Sequence, residues 1–464
     1  MKFTLLLSLA VSLTSFNGVL SSPAPQDLMG MSSMSEAMSE LAQAKSSFRE
    51  SERRNGVFDK GRYKSKAKFP CVNGKSAGEY SCANVDMRAF LSHEDMGSVT
   101  REGNDVWGWT SRDGREFGAV GQTDGTAFVE VMKDGSLKYV ARLPTQTVSS
   151  IWRDIKVIGD HAYIGSEAKG HGLQIFDMRK LTTVKPGTSF DITKDLTAHF
   201  AGFGNSHNIV SNPETNFIYA VGTSFCGKGG LFFVDVSDPS NPRDAGCASE
   251  DGYVHDAQCV IYRGPDAAYR GKEICFGYNE DTLTIYDVTD KSKPIIISRT
   301  PYQGAAYTHQ GWLANPEMTH LLLDDELDEM KNTAQGGNNK TTTYLWDIRK
   351  LTSPINTGYY KSQAKAIDHN QYVIEGISYQ SNYGSGLRIV DVSSIMKSPD
   401  GHEMYEMGHF DVHPEDDADE QNQFYGSWSV YPYFRSGNIL LNSIERGLYS
   451  LKYTGPKAKY AKRH

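Results

Sequence analysis

Four histidines carry the chemistry this sequence could do. His207 (SHNIVSN), His255 (VHDAQCV), His309 (THQGWLA) and His369 (DHNQYVI) each open a short run of strand character. They recur at intervals of roughly 45 to 60 residues, a spacing typical of repeat architectures. Trp107, Trp152 and Trp428 open comparable runs elsewhere in the chain. Neutral imidazole is a common nitrogen donor to metals and suits Zn, Cu, Fe or Ni. If the runs are equivalent strands of one repeat, the four rings converge and could hold one transition-metal ion. The same placement has a plainer use, in which each ring opens its strand by bonding the backbone of the neighbouring unit. Both readings stay open on the residues alone.

A second set of polar residues stands where the next run of each copy ends: Gln122, Glu167, Thr223, Asn279 with Glu280, Asp325 with Glu326, Ser381 with Asn382, and Glu445. Repeated at one position, they predict a wet, acidic mouth beside the histidines. Glu167, Glu280 and Glu326, with Trp107, Trp152 and Trp428, are therefore the candidate ligand-binding side chains. Indole rings at such a mouth suit stacking on sugars or aromatic ligands. Asp154, Asn208, Asp256, Gln310 and Asn370 follow the ring positions by one or two places. Neighbouring strand residues face opposite ways, so these are expected to bond between units instead.

The elements that must position these groups are legible from a third run. AFVEV, LQIFDM, LFFVDV, LTIYDV, TYLWDI, LRIVDV and LYSLKY recur in order, with Glu130, Asp177, Asp235, Asp287, Asp347 and Asp391 at one position and Lys452 breaking the pattern. Alternating and β-branched residues bounded by Gly, Pro, Asn and Asp mark strands. Repeats of this length with about four strands each predict an all-β fold, a seven-bladed β-propeller, with equivalent positions ringed about one axis. Whether residues before Trp107 complete the last blade stays open.

The ends differ from the middle. Residues 1–21 have the charged start, short apolar run and small-residue end of a signal peptide. No later stretch is apolar enough to span a membrane. Residues 22–66 are rich in Ser, Met, Ala and charge and are expected to be a disordered linker or a pro-segment ending near Arg53-Arg54. Within them, Ser35 to Arg53 could form a short amphipathic helix. The propeller is expected over 67–454 and a basic tail over 455–464. With 48 basic against 56 acidic residues, nucleic acid is excluded as the partner. Six cysteines in a secreted chain predict disulfides, with sequence neighbours as the natural pairs: Cys71 with Cys82, Cys226 with Cys247, and Cys259 with Cys275. Asn339-Lys340-Thr341 is a glycosylation acceptor. The partner expected is an extracellular ligand, carbohydrate or protein, met by a monomer.

The ordered blocks CVNGKSAGEYSCANVDMRAFLS, GNDVWGWT, GFGNSHNIV, DGYVHDAQCVIYRGPD, EICFGYNEDTLTIYDVTDKSKP, AYTHQGWL, DHNQYV and WSVYPYF resemble the choice-of-anchor B family, secreted proteins of LVIVD-type repeats. The resemblance runs from about Pro70 to Leu451. It implies an extracellular propeller and carries no activity or site residue over. Bacterial members end in surface anchors, whereas this chain ends in a basic tail.

Other motifs are weaker. The acidic run Asp324-Asp325-Glu326-Leu327-Asp328-Glu329 lacks EF-hand spacing and is expected to be a solvated loop, as is Pro414 to Gln421. Gly74-Lys75-Ser76 ends like a phosphate loop, but Phe69 stands where that motif requires Gly. No Gly-x-Ser-x-Gly elbow or His-Glu-x-x-His helix occurs. Two functions fit: a secreted binding or scaffold protein that uses its channel mouth, or a metal-dependent extracellular oxidoreductase or lyase centred on the histidines.

Overall fold

A computed structural model describes residues 35–460. The expected signal peptide, the start of the 22–66 segment and the end of the basic tail lie outside the described residues. The chain forms seven sheets around one axis. The innermost strands are Gly103–Thr110, Arg153–Ile158, Ile209–Asn212, Asp256–Ile261, Thr308–Leu313, Asn370–Ile374 and Ser427–Tyr431. Each leads outward through antiparallel neighbours in chain order, which is the meander of a β-propeller. The last blade takes its outer strand from early in the chain: Val85–Ser92 pairs antiparallel with Gly447–Tyr453 and closes the ring. Tyr80–Ala83 and Lys75–Ser76 extend the sixth blade outward.

The repeated acidic residue has a local cause. Asp177, Asp235, Asp287, Asp347 and Asp391 end their third strands, and each Oδ1 accepts the backbone N–H two residues on, at 2.9–3.1 Å. A short carboxylate at a strand end turns the chain in this way. Glu130 is too long for that turn and instead takes a two-pronged bond from Arg115, at 2.7 and 2.9 Å. Apolar faces of successive blades interlock, as where Phe128 stacks on Phe176 of the next blade at 4.8 Å. Four of the five residues expected to bond between blades do so, as where Asp154 accepts from Ile209 N at 2.7 Å and Gln310 from Gln371 N at 3.0 Å; Asp256 instead accepts from its own neighbour, Ala257 N, at 2.7 Å.

All three neighbour disulfides form, and Cys259 and Cys275 stand directly opposite on adjacent strands with Cα atoms 4.0 Å apart. Asn339 is half-buried in the connector before Thr342–Asp347, and Thr341 of its acceptor triplet is buried.

Two expectations need correction. Within 22–66, Glu36–Arg54 is not linker but a helix, α1. Ser35 caps it by accepting from Met38 N at 3.0 Å, with Glu36 in the first turn and Arg53 and Arg54 in the last, where charge complements the helix dipole. Met38, Leu41, Ala42, Lys45 and Arg49 share one face and are all buried. The acidic run is not solvated either: Asp324, Asp325, Glu326, Asp328 and Glu329 are buried. Asp325 explains why the chain turns inward there, since its carboxylate accepts backbone N–H groups from Ala306, Tyr307, Leu327 and Asp328 at 2.8–3.1 Å.

Candidate functional site

The inner strands run along the axis, so their first residues gather at one end of the channel and their later residues at the other. At the first end the four histidines meet. Ring centroids of His207 and His255 are 4.3 Å apart, of His255 and His309 4.1 Å, and of His309 and His369 4.4 Å. Trp428 continues the arc 5.0 Å from His369, and Trp152 flanks His207 at 6.2 Å. All four imidazoles are buried.

Trp107 does not belong to this arc. Asp105 accepts from Ile155 N at 2.8 Å, the bond Asp154 makes one blade later. The residue equivalent to Trp152 is therefore Gly103, and Trp107 lies four residues further along its strand, at the opposite end. Gly103 fills the seventh place because nothing larger fits. A Cβ there would sit 2.4 Å from the His93 ring and 2.6 Å from Ser443 O.

The acidic mouth exists but is closed, not wet. Helix α1 lies across it. Lys45 Nζ is 2.5 Å from Glu326 Oε1, with the ammonium over the rings of Tyr383, Phe424 and Trp428 at 5.4–5.8 Å. Arg49 lies 3.1 Å from Glu102 and 3.8 Å from Glu445, and donates to Phe424 O at 2.6 Å. Glu280 accepts from Ser35 at the helix start, and Glu102 also pairs with Arg53 near its end. Glu167 sits 2.5 Å from His207 Nδ1. Met38, Leu41 and Ala42 pack on Ile151, Trp152, Tyr253, Tyr307, Ile367 and Trp428.

Burial sets the protonation of this end. Desolvation holds His255 and His309 well below the usual imidazole range and brings His369 down to about 4. Burial pushes the Glu326 carboxyl up, but Lys45, with His369 and Tyr383 beside it, outweighs that and the net direction is down. Burial pushes Glu445 up to about 7, with Arg49 pulling against it.

Sequence reasoning missed Glu102, Tyr253, Tyr307 and Tyr383. Tyr253 and Tyr307 each precede a ring histidine by two residues, a repeat that could have found them. Tyr383 donates to Glu326 Oε1 at 2.6 Å.

At the other end of the axis a pit of about 350 Å³ opens, lined among others by Trp107, Lys156, Asn212, Gln258, Trp312 and Tyr372. Trp107 and Trp312 are half-buried and stand edge-on to Tyr372 at 5.4 and 4.9 Å. The Lys156 ammonium lies 4.8 Å from the Trp107 ring centre and is held by Asp154 at 2.8 Å. Burial would lower its pKa, but Asp154, Asp105 and Asp256 outweigh that and raise it, so it stays charged.

Fold and site together define a seven-bladed β-propeller with one axial end sealed by its own helix and the other open. The model of the LVIVD repeat matches residues 225–246, which span the third and outer strands of the third blade. No curated protein matches the chain. Among solved structures, the β-propeller domain of Cps50 (Swd1) from Myceliophteria thermophila is similar at 10% identity and a TM-score of 0.45, covering 76% of this chain and 97% of that one. Among the described residues, no helix is long and apolar enough to cross a membrane.

Proposed function

We propose that this is a secreted, non-catalytic binding propeller of the choice-of-anchor B type that holds an extracellular carbohydrate at the open end of its axis. The observation that carries the reading is the pit itself: two half-exposed indoles and a tyrosine, with Lys156 and Gln258 among them. Aromatic faces beside fixed polar groups match a sugar ring, which has an apolar face and a hydroxyl rim. Three disulfides in one chain support an oxidising compartment. The alternative of an oxidoreductase or lyase centred on the histidines requires substrate to reach rings that α1 covers, so binding is the better reading.

Titration of soluble polysaccharide fragments against intrinsic tryptophan fluorescence tests this. A saturable change, lost in Trp107→Ala and Trp312→Ala but kept in His255→Gln, is the expected result. Fragments that bind the double tryptophan variant as tightly as the parent would overturn it. So would a protein ligand at this pit that sugars do not displace.

A further inference from the structure

The sealed end of the axis is separate from the pit, and nothing in the carbohydrate reading uses it. We propose that His255, His309 and Glu326, with His207 and His369 beside them, form a binding site for one divalent first-row transition-metal ion beneath helix α1.

The argument begins with the protons. His255 Nδ1 lies 2.8 Å from the backbone oxygen of His309, and His369 Nδ1 lies 2.6 Å from that of Trp428. A carbonyl oxygen only accepts, so in these neutral rings Nδ1 carries the proton and Nε2 keeps its lone pair. His207 Nδ1 is matched by the Glu167 carboxylate in the same way. Fixing one ring nitrogen on a carbonyl or carboxylate is how metal-ligating histidines are oriented. Here the device recurs on three blades.

The free atoms point the same way. His255 Nε2 and Glu326 Oε2 are buried and have no hydrogen-bond partner. Buried polar atoms are nearly always partnered, so two such atoms facing one interior volume point to an occupant. One nitrogen each from His255 and His309 and one Glu326 oxygen lie within 4.8 Å of one another. His309 Nε2 is 3.8 Å from Glu326 Oε2, and His369 Nε2 is 3.9 Å from Oε1. Contraction by about 1 Å brings donors to the spacing that metal–nitrogen bonds of about 2.0–2.1 Å require.

Glu326 is prepared for this. Its Oε1 is taken by Lys45 and Tyr383, which fixes the carboxylate plane and leaves Oε2 for the ion. Lys45 is thus a positioning residue, and the ion and α1 occupy the end together. Two or more imidazoles with one carboxylate select a transition ion over Ca²⁺ or Mg²⁺, which take oxygen ligands.

The test uses the full chain stripped with a chelator and titrated with Co²⁺, then Zn²⁺. One equivalent per chain is expected to survive gel filtration, with Co²⁺ giving visible d–d absorption. His255→Gln, His309→Gln and Glu326→Gln should each weaken binding at least tenfold, while His402→Gln, on an exposed loop, leaves it unchanged. X-ray absorption of the Zn²⁺-loaded parent should show scattering from at least two imidazoles, a readout that needs no variant to fold. An all-oxygen shell, equal affinity in the His255 and His309 variants, or no stoichiometric ion in the parent would each overturn the site.

Discussion

Replacing Arg49 with Ala should loosen the docking of helix α1 and leave the propeller standing. Arg49 is 1% exposed and faces two carboxylates and a carbonyl. Removing one partner from a buried ion pair typically costs about 3–5 kcal/mol, because the other charge is left without compensation. Two features place this case at the low end. Glu102 keeps Arg53, and Glu445, already pushed up to about 7, can take a proton. A cost of about 3 kcal/mol is about a hundredfold in the population of the undocked helix. Lys45 and the apolar contacts of Met38 and Leu41 remain, so docking weakens without vanishing. Amide hydrogen exchange over residues 36–54 reads this directly, and trypsin cleavage at Arg53-Arg54 reads it as a rate. Exchange there should rise about a hundredfold while the blade strands keep their protection, with Arg49→Lys in between. Helix amides protected within about threefold of the parent would refute the reasoning. So would strands that lose protection in step with the helix, since α1 would then be part of the cooperative core.

Other outcomes follow from single sites. Gly103→Ala places a methyl against the His93 ring and should destabilise the first blade by about 1–3 kcal/mol, measured by denaturant unfolding. Burial pushes the Asp411 carboxyl up to about 7, above its unfolded value, so its contribution is complete below about pH 4 and is lost as pH rises through 7. Asp411→Asn should therefore gain on the parent progressively across that window, by about 2–4 kcal/mol at pH 8 in paired melts; a pH-independent difference would contradict this. Cys259→Ser with Cys275→Ser opens a loop of 16 residues and should cost about 3 kcal/mol. Peptide mapping without reduction should recover that linked pair from the parent.

The propeller was legible because its repeat is written in turn chemistry as well as in apolar pattern. Each Asp that ends a third strand makes the same local bond, so the register repeats even where spacing does not. The histidine arc follows from that register alone. Trp107 was misplaced because an aromatic residue was aligned with aromatic residues, while the true equivalent, Gly103, has no side chain to notice. Asp105, which does the work of Asp154, held the correct register. The burial of Asp324 to Glu329 was hidden for another reason. Charge along a chain predicts solvent only if no donors wait inside, and the donors that hold Asp325 include Ala306 and Tyr307, distant in sequence. A helix over Ser35 to Arg53 was legible, but its docking was obscured likewise. Lys45 and Arg49 lie on its buried face, and the partners that permit this, Glu326, Glu102 and Glu445, lie tens to hundreds of residues away.

The pairings of Val85–Ser92 with Gly447–Tyr453 and of Tyr80–Ala83 with Tyr405–Phe410 make the ring of blades a hoop fastened where early chain overlaps late chain. A linear stack of repeats frays from its ends; a hoop has none to fray. Val85–Ser92 can bond Lys66 and Phe69 early, but it cannot meet Gly447–Tyr453 until the last blade is made. Once fastened, no blade can peel away alone, and the histidines of four separate blades keep one spacing because the hoop fixes its own circumference.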